Sequence, residues 1–423
     1  MPRIVKVATA NGIVTLARLV LGLLTNKMYA VMLGPAGYMM LGNITNAFNL
    51  AHAASQAGMS SGVSANVARC SGAGQKQGFL YAGICLSLCT AVVLVLVFLC
   101  LQFNSFFPTV SSTTISVLIV SLILAAPLGA LIGYFNGSEN NNPVYLAQLS
   151  GAILLLLVVW GCYSLGRPDL ALATAGATAL GAVPVLMWFG YRKRLHVEIT
   201  PHTSMALCLR PLVGYLLIGA VSGVVAQLMQ IAVRMLMSNR FGDDVAGYWQ
   251  ASWRLSDAYL AVLVQTISMI LLPRYARCQT RPSLKRAVLE GLAWFASGAM
   301  LLCFFVFIFA DHLVLLLFSQ DFVKAAEFVR VQVIGDFLKI ISWVLSYVML
   351  AKGNIRAFII TEIVAGTLFV GLTALAILVA PSILDANYAY IGMYVAYTMA
   401  VLVIVIKTIK SMPAIDVTAE SSK

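Results

Sequence analysis

The stretch Gln77–Ser138, QGFLYAGICLSLCTAVVLVLVFLCLQFNSFFPTVSSTTISVLIVSLILAAPLGALIGYFNGS, runs for 62 residues without one Asp, Glu, Lys or Arg. About 20 apolar residues suffice for a helix to cross the hydrocarbon of a bilayer. The run therefore holds two crossings, divided by the polar break Gln102–Thr114 that contains Pro108. The same reading of the whole chain predicts twelve spans, at 8–33, 38–67, 78–101, 114–135, 143–164, 169–190, 211–237, 246–273, 286–309, 325–351, 355–380 and 387–409.

The composition agrees. Of 423 residues, 61% are hydrophobic and 10% are charged. The mean hydropathy is +0.93. A soluble domain carries about 25% charged residues, so lipid must be most of this chain's solvent. The net charge of +12 is topological rather than a sign of nucleic-acid binding. With the N-terminus inside, 18 loop Lys and Arg fall on the inner side and three, Arg167, Arg240 and Lys324, on the outer. That asymmetry places both termini in the cytoplasm. The apolar run after Arg3 and Lys6 is too long for a signal-peptide core and reads as the first span. Eight cysteines, at 70, 85, 89, 100, 162, 208, 278 and 303, show no CxxC pair and no metal spacing.

An internal repeat divides the chain. LGPAGY (Leu33–Tyr38) precedes a helix ending in ARC (Ala68–Cys70), and FGDDVAGY (Phe241–Tyr248) precedes one ending in ARC (Ala276–Cys278). Gly34 to Arg69 and Gly242 to Arg277 are both 35 positions. Gly137 and Gly151 echo Gly353 and Gly366. The expected organisation is an N-terminal lobe at 1–195, a cytoplasmic linker at 196–210, a C-terminal lobe at 211–410 and a tail at 411–423. Six helices per lobe insert the same way up, related by an axis along the membrane normal.

Once those 21 loop residues are set aside, six cations are left over, all within spans: Arg18, Lys27, Arg234, Arg254, Arg330 and Lys339. Three acids accompany them: Asp257, Asp336 and Glu362. A charge at mid-membrane costs about 2.5–3.5 kcal/mol on insertion scales and faces a bundle interior or a wet cavity. A net positive cavity suits an anionic ligand. Arg18 and Asn26 share a face of the first helix, with Gly22 between them to let a helix or ligand approach, and Lys27 one position further round. The second helix carries a polar stripe of Thr45, Asn49, His52 and Gln56 at i, i+4, i+7 and i+11, which places it at the lumen between the halves. Its counterpart carries Gln250, Arg254 and Asp257. Plainer readings stand beside these. Arg254–Asp257 and Asp336–Lys339 have the i, i+3 spacing of structural ion pairs. Lys27 and Arg234 are placed to snorkel to the outer interface, Arg330 lies near a helix start, and His52 suits helix packing.

Four segments carry a resemblance. LVLGLLTNKMYAVMLGPAG (Leu19–Gly37), GYWQASWRLSDAYL (Gly247–Leu260), LLPRYAR (Leu271–Arg277) and VIGDFLKIISWVLSYVMLAKG (Val333–Gly353) resemble the Wzx-type polysaccharide flippases. These include the O-antigen and enterobacterial-common-antigen translocases of the multidrug/oligosaccharidyl-lipid/polysaccharide exporter superfamily. The resemblance implies an all-α, MATE-like fold of about twelve helices in two six-helix lobes, in the bacterial inner membrane. It implies a substrate, an undecaprenyl-diphosphate-linked oligosaccharide moved from the cytoplasmic to the periplasmic leaflet by alternating access. Arg18, Lys27, Arg234, Arg254, Lys339, Asn26, Asn49 and Gln56 are then expected at the diphosphate and sugars. Asp257, Asp336 and Glu362 are expected to couple or gate, with H+ and Na+ both open and no other cofactor. Membrane lipids, a polysaccharide polymerase and a chain-length regulator are the implied partners.

Three alternatives are weighed against this reading. A drug or small-cation antiporter of the same superfamily predicts a cavity dominated by carboxylates and aromatics. A membrane polymerase or glycosyltransferase predicts a sizeable extramembrane segment, and the chain has no catalytic triad or Gly-rich phosphate loop. A structural assembly component needs no buried cations.

Overall fold

The computed structural model describes residues 2–70, 72–100, 111–192 and 205–414. Among them there is no strand. The helices are α1 (Pro2–Arg69), α2 (Ala73–Cys100), α3 (Ser112–Ala125), α4 (Leu128–Gly137), α5 (Asn142–Ser164), α6 (Pro168–Ala171), α7 (Ala177–Arg192), α8 (Met205–Phe241), α9 (Asp243–Arg277), α10 (Arg281–Ile308), α11 (Ala310–Leu317), α12 (Ala325–Ala351), α13 (Ile355–Val379) and α14 (Asp385–Ser411). Among the described residues, ten segments are long and apolar enough to cross a membrane. One of them, Gly12–Arg69, is two crossings joined at Gly34, and α8 at 37 residues adds another. The described residues thus supply ten or more apolar helices, as a multi-pass membrane protein requires.

The repeat has a backbone basis. Gly34 (φ 63°, ψ −178°) and Gly242 (φ 90°, ψ 165°) both adopt a conformation that only glycine holds without strain. Each precedes a helix that ends 35 residues later, at Arg69 and Arg277. Each end is closed by the same bond, Cys70 N to Val67 O (3.2 Å) and Cys278 N to Tyr275 O (3.3 Å). The first of these turns is tighter than the sequence suggests, because the helix resumes directly at Pro35 rather than after a short loop. The second echo is also real, but shifted. Asn140 N bonds Phe135 O (3.0 Å) and Asn354 N bonds Met349 O (2.8 Å), after left-handed residues at Glu139 and Gly353. Both are six-to-one helix terminations. Gly353 is therefore matched by Glu139 rather than by Gly137.

The expected span 114–135 is broken between α3 and α4. Pro127 has no N–H and its ring crowds the preceding turn. The span 169–190 is likewise interrupted, by a 3-10 turn at Leu172–Gly176. The basic segment 193–204, centre of the expected linker, lies outside the described residues.

The chain divides into two compact units, one of Met1–Leu33 with Met40–Ile231 and one of Gly34–Met39 with Ala232–Lys423. The division falls inside α8 rather than at the expected linker 196–210. Within the first unit the cause is close helix contact. A Cβ on Gly58 would lie 1.8 Å from Tyr215 O, and one on Gly223 would lie 2.6 Å from Ala53 Cβ. Asn46 Nδ2 donates to Gln230 Oε1 at 3.0 Å. Most of α8 is thereby held in the N-terminal unit. In the second unit α12 is the central helix, buried along most of its length and packed by α9, α10 and α14. There Lys352 Nζ donates to Cys278 O at 2.5 Å, capping the C-terminus of α9. Large apolar side chains such as Leu378 (81% exposed) and Trp294 (78%) mark surfaces suited to lipid.

Candidate functional site

In the first unit Arg18 and Lys27 are exposed and Asn26 is half-buried on α1. Arg18 NH1 donates to Gln148 Oε1 on α5 at 3.0 Å. One edge of the guanidinium is thus held by a neutral acceptor. A Cβ on Gly22 would meet nothing within 4 Å among the described residues. Asn49 is half-buried.

Gln56 has a different task from the one expected. Its side chain is buried; Nε2 donates to Ala125 O (2.9 Å) and Oε1 accepts from Gly129 N (3.2 Å). An unbroken helix would join those two backbone groups directly. Pro127 separates them, and the Gln56 amide fills the gap. His52 Nδ1 lies 3.1 Å from Gln56 Nε2 and its ring stacks on Phe48. The lower half of the polar stripe therefore holds the fold together.

In the second unit Arg234 is 0% exposed, with Nε donating to Gln250 Oε1 (3.0 Å) and its guanidinium carbon 5.8 Å from the Trp249 ring centre. It neither snorkels nor reaches an accessible surface. Arg330 pairs with Asp311. Arg254 and Asp257, by contrast, are exposed while residues 251–253, 255 and 256 around them are buried. A charged strip of this kind at mid-span does not face lipid, because hydrocarbon excludes it. It faces water.

Asp336 is 0% exposed. It accepts hydrogen bonds from Ser256 Oγ (2.5 Å), Tyr390 OH (2.8 Å) and Tyr259 OH. Three hydroxyl donors satisfy a carboxylate, and they replace the expected partnership with Lys339. The Lys339 ammonium instead lies among four rings, 5.4 Å from Trp253, 5.1 Å from Trp343, 5.8 Å from Tyr390 and 5.9 Å from Tyr394. Glu362 accepts from Tyr397 OH at 2.6 Å. The aromatic residues are absent from the sequence-based site, although Tyr390, Tyr394 and Tyr397 stand at i, i+4 and i+7, a legible helix face. Gln148 carried no such signal. Among the described residues no group of three or more His, Cys, Asp or Glu is placed to hold a metal ion.

The sequence model of the family described as "Polysaccharide biosynthesis protein" matches residues 29–327. The chain belongs to this family. Among curated proteins, the "Lipid III flippase" of Escherichia coli (strain K12) is 25% identical over 393 residues, which is 90% of this chain and 93% of the relative. The Lipid III flippase of Shigella flexneri matches equally. Among solved structures, an inward-facing multidrug resistance MATE family transporter superposes with a TM-score of 0.75 at 17% identity, covering 94% of this chain and 98% of that one. A transporter of the same superfamily from Pyrococcus furiosus, described as having a binding pocket of reverse polarity, gives 0.66 at 17% over 96% and 93%. These likenesses establish a MATE-like fold for this polysaccharide biosynthesis family member.

Proposed function

We propose that the chain is a flippase for an isoprenoid-diphosphate-linked oligosaccharide, undecaprenyl diphosphate being the carrier, acting in the bacterial inner membrane with both termini in the cytoplasm. The observation that carries this reading is the alignment across 93% of a protein named Lipid III flippase. The accessible charges support it. A diphosphate and several sugars cannot cross hydrocarbon unaided, and a wet cationic surface replaces their hydration. Arg18 and Lys27 are exposed on the first unit and are assigned to the diphosphate. Arginine suits this task through its planar fork of donors and permanent charge. Asn26 and Asn49 are assigned to neighbouring hydroxyls.

The cycle is alternating access, with the lipid tail remaining in the bilayer. Asp257, Asp336 and Glu362 are assigned to coupling, through H+ or Na+. No bond is made or broken, so the protein acts as a transporter and not an enzyme. A polymerase and a chain-length regulator are the proposed downstream partners.

The test is complementation of a Gram-negative strain that lacks its own flippase of this type, with surface polysaccharide as the readout. Rescue by the wild type, lost in Arg18→Gln at matched expression, is the expected result. Failure to rescue with any of several donor sugar repeats, together with drug resistance on expression, would replace this reading with that of an antiporter.

A further inference from the structure

The Lys339 ammonium and the carboxylates of the second unit share the same tyrosines. Tyr390 turns its ring toward Lys339 and donates its hydroxyl to Asp336 (2.8 Å). Tyr394 turns its ring toward Lys339 and packs between Tyr390 (centroids 4.8 Å) and Tyr397 (6.0 Å), while Tyr397 donates to Glu362 (2.6 Å). Asp257, Asp336 and Glu362 all lie within electrostatic reach of Lys339, and Arg254 within reach of Asp257. A phenol that donates a hydrogen bond to a carboxylate has a more electron-rich ring, which strengthens its attraction for a cation. The tyrosines thus pass the carboxylates' negative charge to the ammonium without a direct contact.

We infer that Lys339 is the resident cation of this carboxylate–aromatic cluster, tethered there so that no metal cation from solution, Na+ included, occupies it. Carboxylates taken out of water need a compensating charge nearby. A cation attached to the chain supplies it without the loss of freedom that a captured ion incurs. Lys339 is only 9% exposed, held between Trp253 at 5% and Tyr390 at 0%, so its ammonium fills the position that a bound cation would take. Arg254 and Asp257 lie on the exposed strip; away from it Lys339 faces Asp336 and the half-buried Glu362, which leaves one negative charge. A proton neutralises that charge without needing space. The inference narrows the coupling ion of the proposed transport cycle to H+. Its test reads ion binding rather than transport, so the two proposals fail separately.

The experiment uses the purified full chain in detergent micelles, with radioactive sodium binding and thermal unfolding measured in NaCl and in choline chloride at equal ionic strength. Wild type and Lys339→Arg are expected to bind no sodium saturably and to unfold at the same temperature in both salts. Lys339→Met is expected to gain saturable sodium binding and a rise of about several degrees in NaCl, both abolished by adding Asp336→Asn. Saturable sodium binding by the wild type that Asp336→Asn removes would overturn the inference. So would a folded Lys339→Met that binds no sodium. If Lys339→Met does not fold, the wild-type arm still decides between the two.

Discussion

Gln56 bridges the break between α3 and α4: its amide donates to Ala125 O and accepts from Gly129 N, the two groups a continuous helix would have joined. Removing that amide strands a buried donor and a buried acceptor, each costing about 1–3 kcal/mol. Gln56→Leu is therefore expected to lower the thermal midpoint in detergent clearly. It should do so whether or not a lipid-linked oligosaccharide is present. A variant of unchanged stability with altered substrate preference would return Gln56 to the binding surface.

Gly58 and Gly298 are both helical glycines, but a Cβ at Gly58 would sit 1.8 Å from Tyr215 O, whereas one at Gly298 meets nothing within 4 Å. Gly58→Ala forces two helices apart, with an expected loss of about 1–3 kcal/mol. Gly298→Ala is expected to be neutral or slightly stabilising. Paired thermal melts in the same detergent check the contrast.

Gly34 carries the positive φ that turns α1 from its first crossing into its second. Alanine there costs about 1–3 kcal/mol, while Gly22→Ala, in open space with ordinary helical backbone, is expected to leave stability unchanged. Equal melting temperatures for Gly34→Ala and Gly22→Ala would mean that the turn relaxes without cost.

Tyr390 serves two groups at once, so two substitutions separate its parts. Tyr390→Phe keeps the ring beside Lys339 and loses the bond to Asp336, at about 1.5–3 kcal/mol for a hydrogen bond to a charged acceptor. Tyr390→Leu loses both and is expected to be less stable than Tyr390→Phe. Equal melting temperatures would show that the ring contributes nothing to holding the ammonium.

Much of the architecture was legible because long uncharged runs report directly on lipid as solvent. Gln77–Ser138 alone required two crossings, and the spacing from Gly34 to Arg69 and from Gly242 to Arg277 announced the repeat that positive φ angles later explained. Arg18 and Lys27 were legible as accessible cations, since a helix that carries charge into a membrane must turn it toward water. The roles of Gln56 and Arg234 were not legible. Each depends on which residue of a distant segment lies opposite, Pro127 in one case and Gln250 with Trp249 in the other. Charge alone could not separate Lys339 among rings from Arg254 facing water. The i, i+4, i+7 spacing of Tyr390, Tyr394 and Tyr397 is visible in the sequence, but nothing in that spacing shows that Asp336 and Glu362 lie at the hydroxyls of Tyr390 and Tyr397.

Arg18 tests the diphosphate assignment at one residue. Arg18→Gln keeps a polar side chain within reach of Gln148 and removes the charge, and it is expected to lower transport by about tenfold or more without loss of expression. Arg18→Lys, which retains charge but not the planar fork, is expected to fall between the two. Full transport by Arg18→Gln would remove Arg18 from the phosphate site.

The central claim is movement of a lipid-linked oligosaccharide, and reconstitution tests it most directly. Purified protein in liposomes holding an undecaprenyl-diphosphate-linked oligosaccharide is treated from outside with a glycosidase that cannot cross the bilayer. The account predicts that the fraction of substrate reached rises from the outer-leaflet pool toward completion, and that liposomes containing Arg18→Gln lag behind. A fraction that stays at the outer-leaflet pool, for every oligosaccharide offered and with the protein folded, would contradict it.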